Sequence, residues 1–169
     1  DDPNEIRRIR EAVDIDLEVF IHGGLCFMYD GNCFMSSYWK QEWAFDEDLG
    51  IPRLYGQNNT KGECHLICKC NCSLVVEEEL VAEGRLLRRP DIVGLKNLPF
   101  YIDIGLKILK IEGRAMPLRY VAEATRLYRE AIDLYLNDPE RYCLKTEWAA
   151  AVERLLQARL EYEQKWHIG

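Results

Sequence analysis

The run IDLEVFI, residues 15–21, constrains the fold of this chain more than any other stretch. Its aliphatic residues alternate with two acidic ones, which is the period of a β-strand, and Phe20 adds an apolar side chain on the second face. A strand that is apolar at most positions needs neighbours on both sides. His22, Gly23 and Gly24 follow directly. We expect them just beyond the carboxyl end of the strand, where sites gather in α/β folds.

The remaining patterns predict the order helix, strand, loop, helix, strand, helix. In chain order they are a first helix capped by Asp2, the strand, an irregular stretch at 38–62, a charged helix at 75–87, a short helix capped by Asn97 and ended by Gly105, a strand at 106–111, and helices at 117–136 and 147–166, the last capped by Thr146. The expected buried stripe of the 117–136 helix is Leu118, Val121, Thr125, Tyr128, Ile132 and Tyr135. Two strands do not form a stable parallel sheet alone, so we expect a fragment, or a subunit whose missing strands come from another chain.

Length and charge limit the protein class. A chain of 169 residues is long enough for one domain with a real core. The net charge of -7 argues against non-specific affinity for nucleic acid or anionic membrane. No run approaches the length of a membrane span, and the first residues lack the layout of a secretory signal. We therefore expect a cytoplasmic protein without a membrane span.

The cysteines predict a metal site. Six of the seven fall into two groups, namely Cys26 and Cys33 among glycines, then Cys64, Cys68, Cys70 and Cys72 within nine residues. Disulfides among such close neighbours would be strained, whereas four converging thiolates suit an iron-sulfur cluster or zinc. The candidate ligands are Cys26, Cys33, Cys64 and Cys68. Their spacing does not separate the two metals, and buried reduced thiols are the alternative, which we favour for Cys143.

Three further residues are candidate catalytic groups. His22 precedes the first cysteine by four positions and suits an acid-base group or a donor to a cluster ligand, with a core histidine as the alternative. In KIEGR, Glu112 and Arg114 follow a strand and suit the binding or protonation of a substrate carboxylate, with surface charge as the alternative. The aromatic residues Trp39, Trp43, Phe45 and Tyr55 suit stacking on a planar ring or the closing of an apolar edge.

The segments LEVFIHGGLC, GNCFMSSY, KGEC and LKIEGR, followed by YVAEATRLYREAID, resemble the collagenase-like peptidase family, number thirty-two among peptidases of unknown catalytic type. The resemblance covers the chain from the first helix to about Asp133. It implies an eight-stranded α/β barrel, of which this chain holds the terminal portion with a cysteine-rich insert and C-terminal helices. The expected divisions are 1–37, the last barrel helix and strand with the first cysteine pair; 38–90, a loop and the cysteine-rich insert; and 91–169, the strand with the KIEGR box and the C-terminal helices.

The resemblance also implies a chemistry. Family members include oxygen-independent hydroxylases with a 4Fe-4S cluster, acting on the ubiquinone ring or on RNA bases, with prephenate implicated as oxygen donor in part of the family. By position, Cys26, Cys33 and Cys64 match cluster ligands, and Cys68 or Cys72 matches the fourth. The expected function is an iron-sulfur subunit or fragment of such a hydroxylase. Its expected partners are a protein that completes the barrel or a related chain, and a small aromatic substrate or RNA.

The sequence departs from the family pattern in the loop between Cys33 and Cys64, which is longer and lacks an arginine-rich segment, so the substrate contacts there are open. Two other functions stay open. One is a collagenase-like peptidase, against which stands the lack of a nucleophile paired with a base in a recognisable motif. The other is a zinc-stabilised structural or assembly module.

Overall fold

A computed structural model of the protein describes residues 2–26, 42–46, 51–55, 67–114 and 116–165. The chain divides into two compact units, one of residues 1–24 with 90–169 and the other of residues 25–89. The elements are α1 (Pro3–Ala12), β1 (Glu18–Gly23), β2 (Glu42–Asp46), β3 (Ile51–Tyr55), β4 (Cys72–Val76), β5 (Glu79–Gly84), β6 (Ile92–Val93), α2 (Leu98–Asp103), β7 (Ile108–Ile111), α3 (Leu118–Asn137) and α4 (Thr146–Lys165).

The first unit is built around a three-stranded sheet in the order β6-β1-β7. The central strand β1 runs parallel to β7 and antiparallel to β6. Mixed α/β architecture is therefore confirmed. Within the described residues this sheet does not close, and the eight-stranded barrel stays a prediction.

The strand β1 extends further than its alternation predicts. His22 and Gly23 belong to the strand, paired with Val93 and Ile92 of β6, and do not lie beyond its end. A bulge between Phe20 and His22 interrupts the register with β7. Because a bulge adds one residue to one strand only, consecutive residues Ile21 and His22 both turn into the interior.

Of the predicted helix caps, Asp2 is confirmed, whereas Asn97 makes no capping bond and Thr146 lies within its helix. The Asp2 carboxylate accepts a hydrogen bond from the Asn4 backbone at 2.9 Å, and α1 starts at Pro3. Asn97 precedes α2, although without a capping bond from its side chain, and Gly105 follows that helix at φ +76°. Helix α4 begins at Thr146, one residue earlier than predicted, because the N–H groups of its first turn return to the Lys145 carbonyl.

The predicted stripe of α3 is confirmed in part. Tyr128 is buried, and Val121 and Ile132 pack partly buried against the core, whereas Thr125 is exposed and Leu118 is 84% exposed. The buried residues of the helix are Tyr120, Ala124, Leu127, Tyr128 and Ala131. Small alanines mark the true face because they let the helix approach the sheet closely, a feature that a count of large apolar residues misses. This face packs with Ile21, Leu98, Trp148 and Leu155 into the core of the first unit. Trp148 and Leu155 supply the buried apolar face of α4.

The second unit contains two antiparallel hairpins, β2–β3 and β4–β5. The prediction of irregular chain at 38–62 is wrong for the two strands it contains, and the predicted helix at 75–87 is wrong. Glu77 and Glu78 form the turn between β4 and β5 with φ +51° and +70°. Tight hairpins need positive φ at both turn residues, which asparagine and glycine signal and glutamate does not. Glutamate favours helices, so the sequence predicts a helix where the structure has the β4–β5 hairpin.

Within the described residues, no helix is both long and apolar enough to cross a membrane.

Candidate functional site

A cluster of buried polar side chains lies near the C-terminal end of β1, in the first unit. His22 is fully buried there. Its Nε2 lies 2.8 Å from the Tyr120 hydroxyl, and its Nδ1 lies 3.3 Å from the Tyr128 hydroxyl. Both tyrosines come from the buried face of α3. Helix α3 therefore packs over His22, the residue that precedes Gly23.

The positions of the protons in this cluster are assigned by counting the hydrogen-bond donors and acceptors. The Tyr128 hydroxyl donates to the Ile21 carbonyl at 2.8 Å and accepts from the Gly94 backbone at 3.2 Å. Since its one proton is used, His22 Nδ1–H donates to Tyr128. In the neutral ring, Nε2 then accepts the proton of the Tyr120 hydroxyl. His22 is thereby assigned as the Nδ1–H tautomer.

The electrostatics agree with a neutral ring. Burial, and then the positive charge of Arg159, lower the pKa of His22 from 6.5 to about 4, against an opposing effect of Asp91 and Glu112. Burial raises the pKa of Tyr120 and of Tyr128. At neutral pH the three rings carry no charge, so they hold the structure through directed hydrogen bonds. This arrangement favours the core histidine among the alternatives for His22.

Glu112 lies immediately after β7 and contacts the end of β1. Its backbone N–H donates to the His22 carbonyl at 2.8 Å, and its Oε2 accepts from the Gly24 backbone at 3.4 Å. Gly23 has φ +137°, and a Cβ at that position would lie 2.5 Å from Glu112 Cβ. Only glycine therefore fits at Gly23, both for its backbone angle and for the close approach of Glu112.

Arg159 of α4 holds the carboxylate of Glu112. The guanidinium pairs with Glu112 Oε2 through one nitrogen, and through another it approaches the Glu112 carbonyl at 3.4 Å. Its Nε donates to Glu163 at 3.1 Å and lies 3.8 Å from an Asp91 oxygen. Burial alone would lower the pKa of Arg159, but the charge and hydrogen bond of Glu112 outweigh it, so Arg159 remains a cation.

Arg114 completes the set of predicted catalytic residues. Its side chain is exposed, whereas that of Glu112 is 30% exposed and His22 is enclosed. The structure thus brings His22 and Glu112 to one place, joined by the ladder between β1 and β7. The predicted roles of all three in catalysis stay predictions.

The predicted metal ligands lie in the second unit or outside the described residues. Cys26 is exposed and Cys68 is half-buried, while Cys33 and Cys64 fall outside the described residues. Burial, together with neighbouring Cys72, raises the pKa of the Cys70 thiol. Within the described ranges, no three His, Cys, Asp or Glu side chains are grouped to hold a metal ion. Trp39 also lies outside those ranges, and Trp43, Phe45 and Tyr55 lie in β2 and β3.

The sequence patterns do not predict five members of the polar cluster, namely Tyr120, Tyr128 as a hydrogen-bonding group, Arg159, and the carboxylates Asp91 and Glu163 beside it. The signal for the tyrosines is their spacing of eight, which places two hydroxyls on one helix face. The signal for Arg159 is Glu163 four residues later, inside an otherwise apolar face of α4. Nothing in the sequence joins Arg159 to Glu112, because that pair depends on how α4 packs.

Comparison with known proteins adds the family. The model of Peptidase family U32 matches residues 2–167. The tRNA hydroxylation protein P1 of Bacillus subtilis is 29% identical over 158 residues, which cover 89% of this chain and 34% of that protein. An uncharacterized protease of Methanocaldococcus jannaschii is 35% identical over 145 residues, covering 79% of this chain and 32% of that protein.

A third relative is the 23S rRNA 5-hydroxycytidine C2501 synthase of Escherichia coli, which is 31% identical over 137 residues, or 80% of this chain and 19% of that protein. The chain therefore spans about a third or less of the length of these relatives. No solved structure matches it at a significant level. Because the family model covers nearly every residue, and the predicted motifs lie within the match, the chain belongs to peptidase family U32.

Proposed function

We propose that this chain forms part of an oxygen-independent hydroxylase that acts on an RNA base. The observation that carries the proposal is that two similar proteins are named for hydroxylation of tRNA and of 23S rRNA. The net charge of -7 points away from broad RNA affinity. We therefore assign RNA recognition mainly to other parts of the full-length enzyme, either further chain or a related subunit that completes the barrel.

The proposed cofactor is a 4Fe-4S cluster held by Cys26, Cys33, Cys64 and Cys68. The donor set fits such a group because thiolates are soft ligands. Of the described members, Cys26 is exposed and Cys68 is half-buried. When bound, the cluster supplies one-electron transfer. Zinc fits the same four thiolates, and a structural zinc module is the second candidate.

The proposed co-substrate is prephenate, whose carboxylates need a cation. Arg114 is exposed at the end of β7 and carries a guanidinium that suits a carboxylate. Glu112 is already engaged by Arg159, so we assign it to holding the strand ends and Arg114 to binding.

Metal analysis tests the cofactor. After anaerobic reconstitution with iron and sulfide, we expect about four irons and four sulfides per chain and a brown absorbance. Cys26→Ala is expected to lose it, and the matched control Cys143→Ala, at an exposed cysteine outside the set, is expected to keep it. A colourless protein that retains zinc through purification would favour the structural module instead.

A chimera tests the activity. This chain would replace the matching third of the Bacillus subtilis tRNA hydroxylation protein P1, in cells that lack that protein. We expect hydroxylated nucleosides in tRNA digests by mass spectrometry, and none with Cys26→Ala in the chimera. Equal hydroxylation by both chimeras would contradict the proposal.

A peptidase is the third candidate, favoured by the relative named as a protease. His22 is the single histidine within the described residues, and both its ring nitrogens are bonded to tyrosines. It therefore has no nitrogen available to activate a nucleophile. Cleavage of gelatin by the metal-free chain, abolished by a single substitution of a serine or cysteine, would support the peptidase.

A further inference from the structure

The path of the backbone out of β1 is held by a side chain from another element. After Gly23 the Gly24 N–H points to Glu112 Oε2 at 3.4 Å, and Glu112 packs against Gly23 too closely for any larger residue. The chain reaches Cys26 two residues later. The Glu112 carboxylate therefore holds the last backbone amide of the first unit's N-terminal segment, two residues before the first predicted ligand.

Glu112 does not fix its own carboxylate. A partly exposed glutamate side chain can sample several rotamers, and ordering it costs conformational entropy. Arg159 removes this freedom because its guanidinium contacts both the carbonyl and the carboxylate of Glu112. Two contacts to one residue fix the side chain relative to its own backbone. A planar fork does this, and a single ammonium group does not.

Arg159 is itself held rigidly. Its side chain is nearly fully buried, and Glu163 and Asp91 lie on its Nε side. Its third contact reaches the Tyr120 hydroxyl at 3.4 Å. The guanidinium is thus a fixed point to which the end of β1 is attached through Glu112.

We infer that Arg159 is a positioning residue: by fixing Glu112, it holds the backbone of Gly23 and Gly24, the two residues from which the chain continues in sequence to Cys26. The inference rests on the proposed role of Cys26 as a metal ligand. A purely structural role for Arg159 is the competing explanation. It predicts an effect on stability with no specific effect at Cys26.

The test uses the full chain, metal-free and reduced, so that it does not depend on cluster formation. Alkylation by iodoacetamide is followed by peptide mass spectrometry, and the rate at Cys26 is divided by the rate at exposed Cys143. The variant is Arg159→Lys, which keeps the charge and loses the fork. The matched control is Arg154→Lys on the same helix, whose exposed guanidinium pairs with Glu123 at 2.9 Å.

We expect Arg159→Lys to change the rate ratio by roughly threefold or more, and Arg154→Lys to leave it within about 1.5-fold of the unmodified chain. Glu112→Gln keeps an oxygen for the Gly24 N–H but loses the ion pair, and we expect it to change the ratio in the same direction. Unchanged ratios in folded Arg159→Lys and Glu112→Gln would overturn the inference.

A second measurement covers variants that fail to fold. In the unmodified chain, we expect the Gly24 amide to exchange with solvent deuterium at least about tenfold more slowly than an unstructured amide, because it is bonded to Glu112. Exchange at the unstructured rate would overturn the inference without any variant. If the unmodified chain binds no cluster, the proposed cofactor fails, but the rate ratio and the amide exchange still decide the role of Arg159.

Discussion

Protonation of His22 is expected to make the protein's stability depend on pH. In the folded chain the pKa of His22 is lowered from 6.5 to about 4, first by burial and then by the charge of Arg159. As the pH falls below about 6.5, His22 binds a proton in the unfolded chain but not in the folded chain. The contribution of His22 is therefore fully present above pH 6.5 and is lost as the pH falls toward 4.

The magnitude follows from the two pKa values. Each pH step between them costs about 1.4 kcal/mol, so the free energy of unfolding falls by about 3 kcal/mol in all. That is a substantial part of the roughly 5–15 kcal/mol of a typical domain. The negative charges of Asp91 and Glu112 act in the opposite direction and raise the pKa of His22, but burial and Arg159 outweigh them.

The assay is urea denaturation at several pH values between 7.5 and 4.5, for the unmodified chain and for His22→Gln. The other titrating groups are the same in both proteins, so the difference between their curves isolates His22. We expect the stability advantage of the unmodified chain over the variant to shrink as the pH falls. A constant difference across this range, or a ring proton signal of His22 that titrates near 6.5 in the folded protein, would refute the reasoning.

Three other predictions concern the packing of the first unit, and denaturation tests each of them. Tyr128→Phe removes a hydroxyl with three buried partners and is expected to lower the free energy of unfolding by about 1–3 kcal/mol. Removal of the exposed Tyr135 hydroxyl is expected to change the free energy of unfolding little, and equal losses would contradict the hydrogen-bond network of Tyr128. Leu127→Ala is expected to lower the free energy of unfolding by about 2–4 kcal/mol, and Leu118→Ala by less than about 0.5 kcal/mol. The reverse order would mean that Leu118 is buried, as the sequence pattern predicts. Gly94→Ala places a Cβ 2.9 Å from a carbonyl oxygen of β1 and is expected to cost about 1–3 kcal/mol, so an unchanged melting midpoint would count against that close approach.

Local signals in the sequence were enough for several elements. Asp2 and Pro3 predict the start of helix α1, Gly105 predicts the break that follows α2, and alternating apolar residues predict the strands β1 and β7. These elements are predictable because caps, glycines and alternation act within a few residues. The family was also anticipated, since its motifs are short runs that survive without the rest of the fold.

Other elements were not predictable because nonlocal pairing overrides local preference. The turn at Glu77 and Glu78 adopts a backbone that glutamate rarely takes, and it persists because β4 and β5 pair on either side. The two-residue strand β6 has too few positions to show a period. It exists because β1 offers it an edge.

The candidate site likewise has features that the sequence predicts and features that depend on the fold. The order of residues alone shows that His22 and two glycines come at the end of one strand shortly before Cys26, and that Glu112 follows a second strand. The contacts that these groups make depend on the fold. The bulge in β1 turns His22 inward beneath two tyrosines, and the packing of α4 brings Arg159 to Glu112 across 47 positions of sequence. Contacts at such separation depend on the packing of whole elements, which no short stretch of sequence specifies.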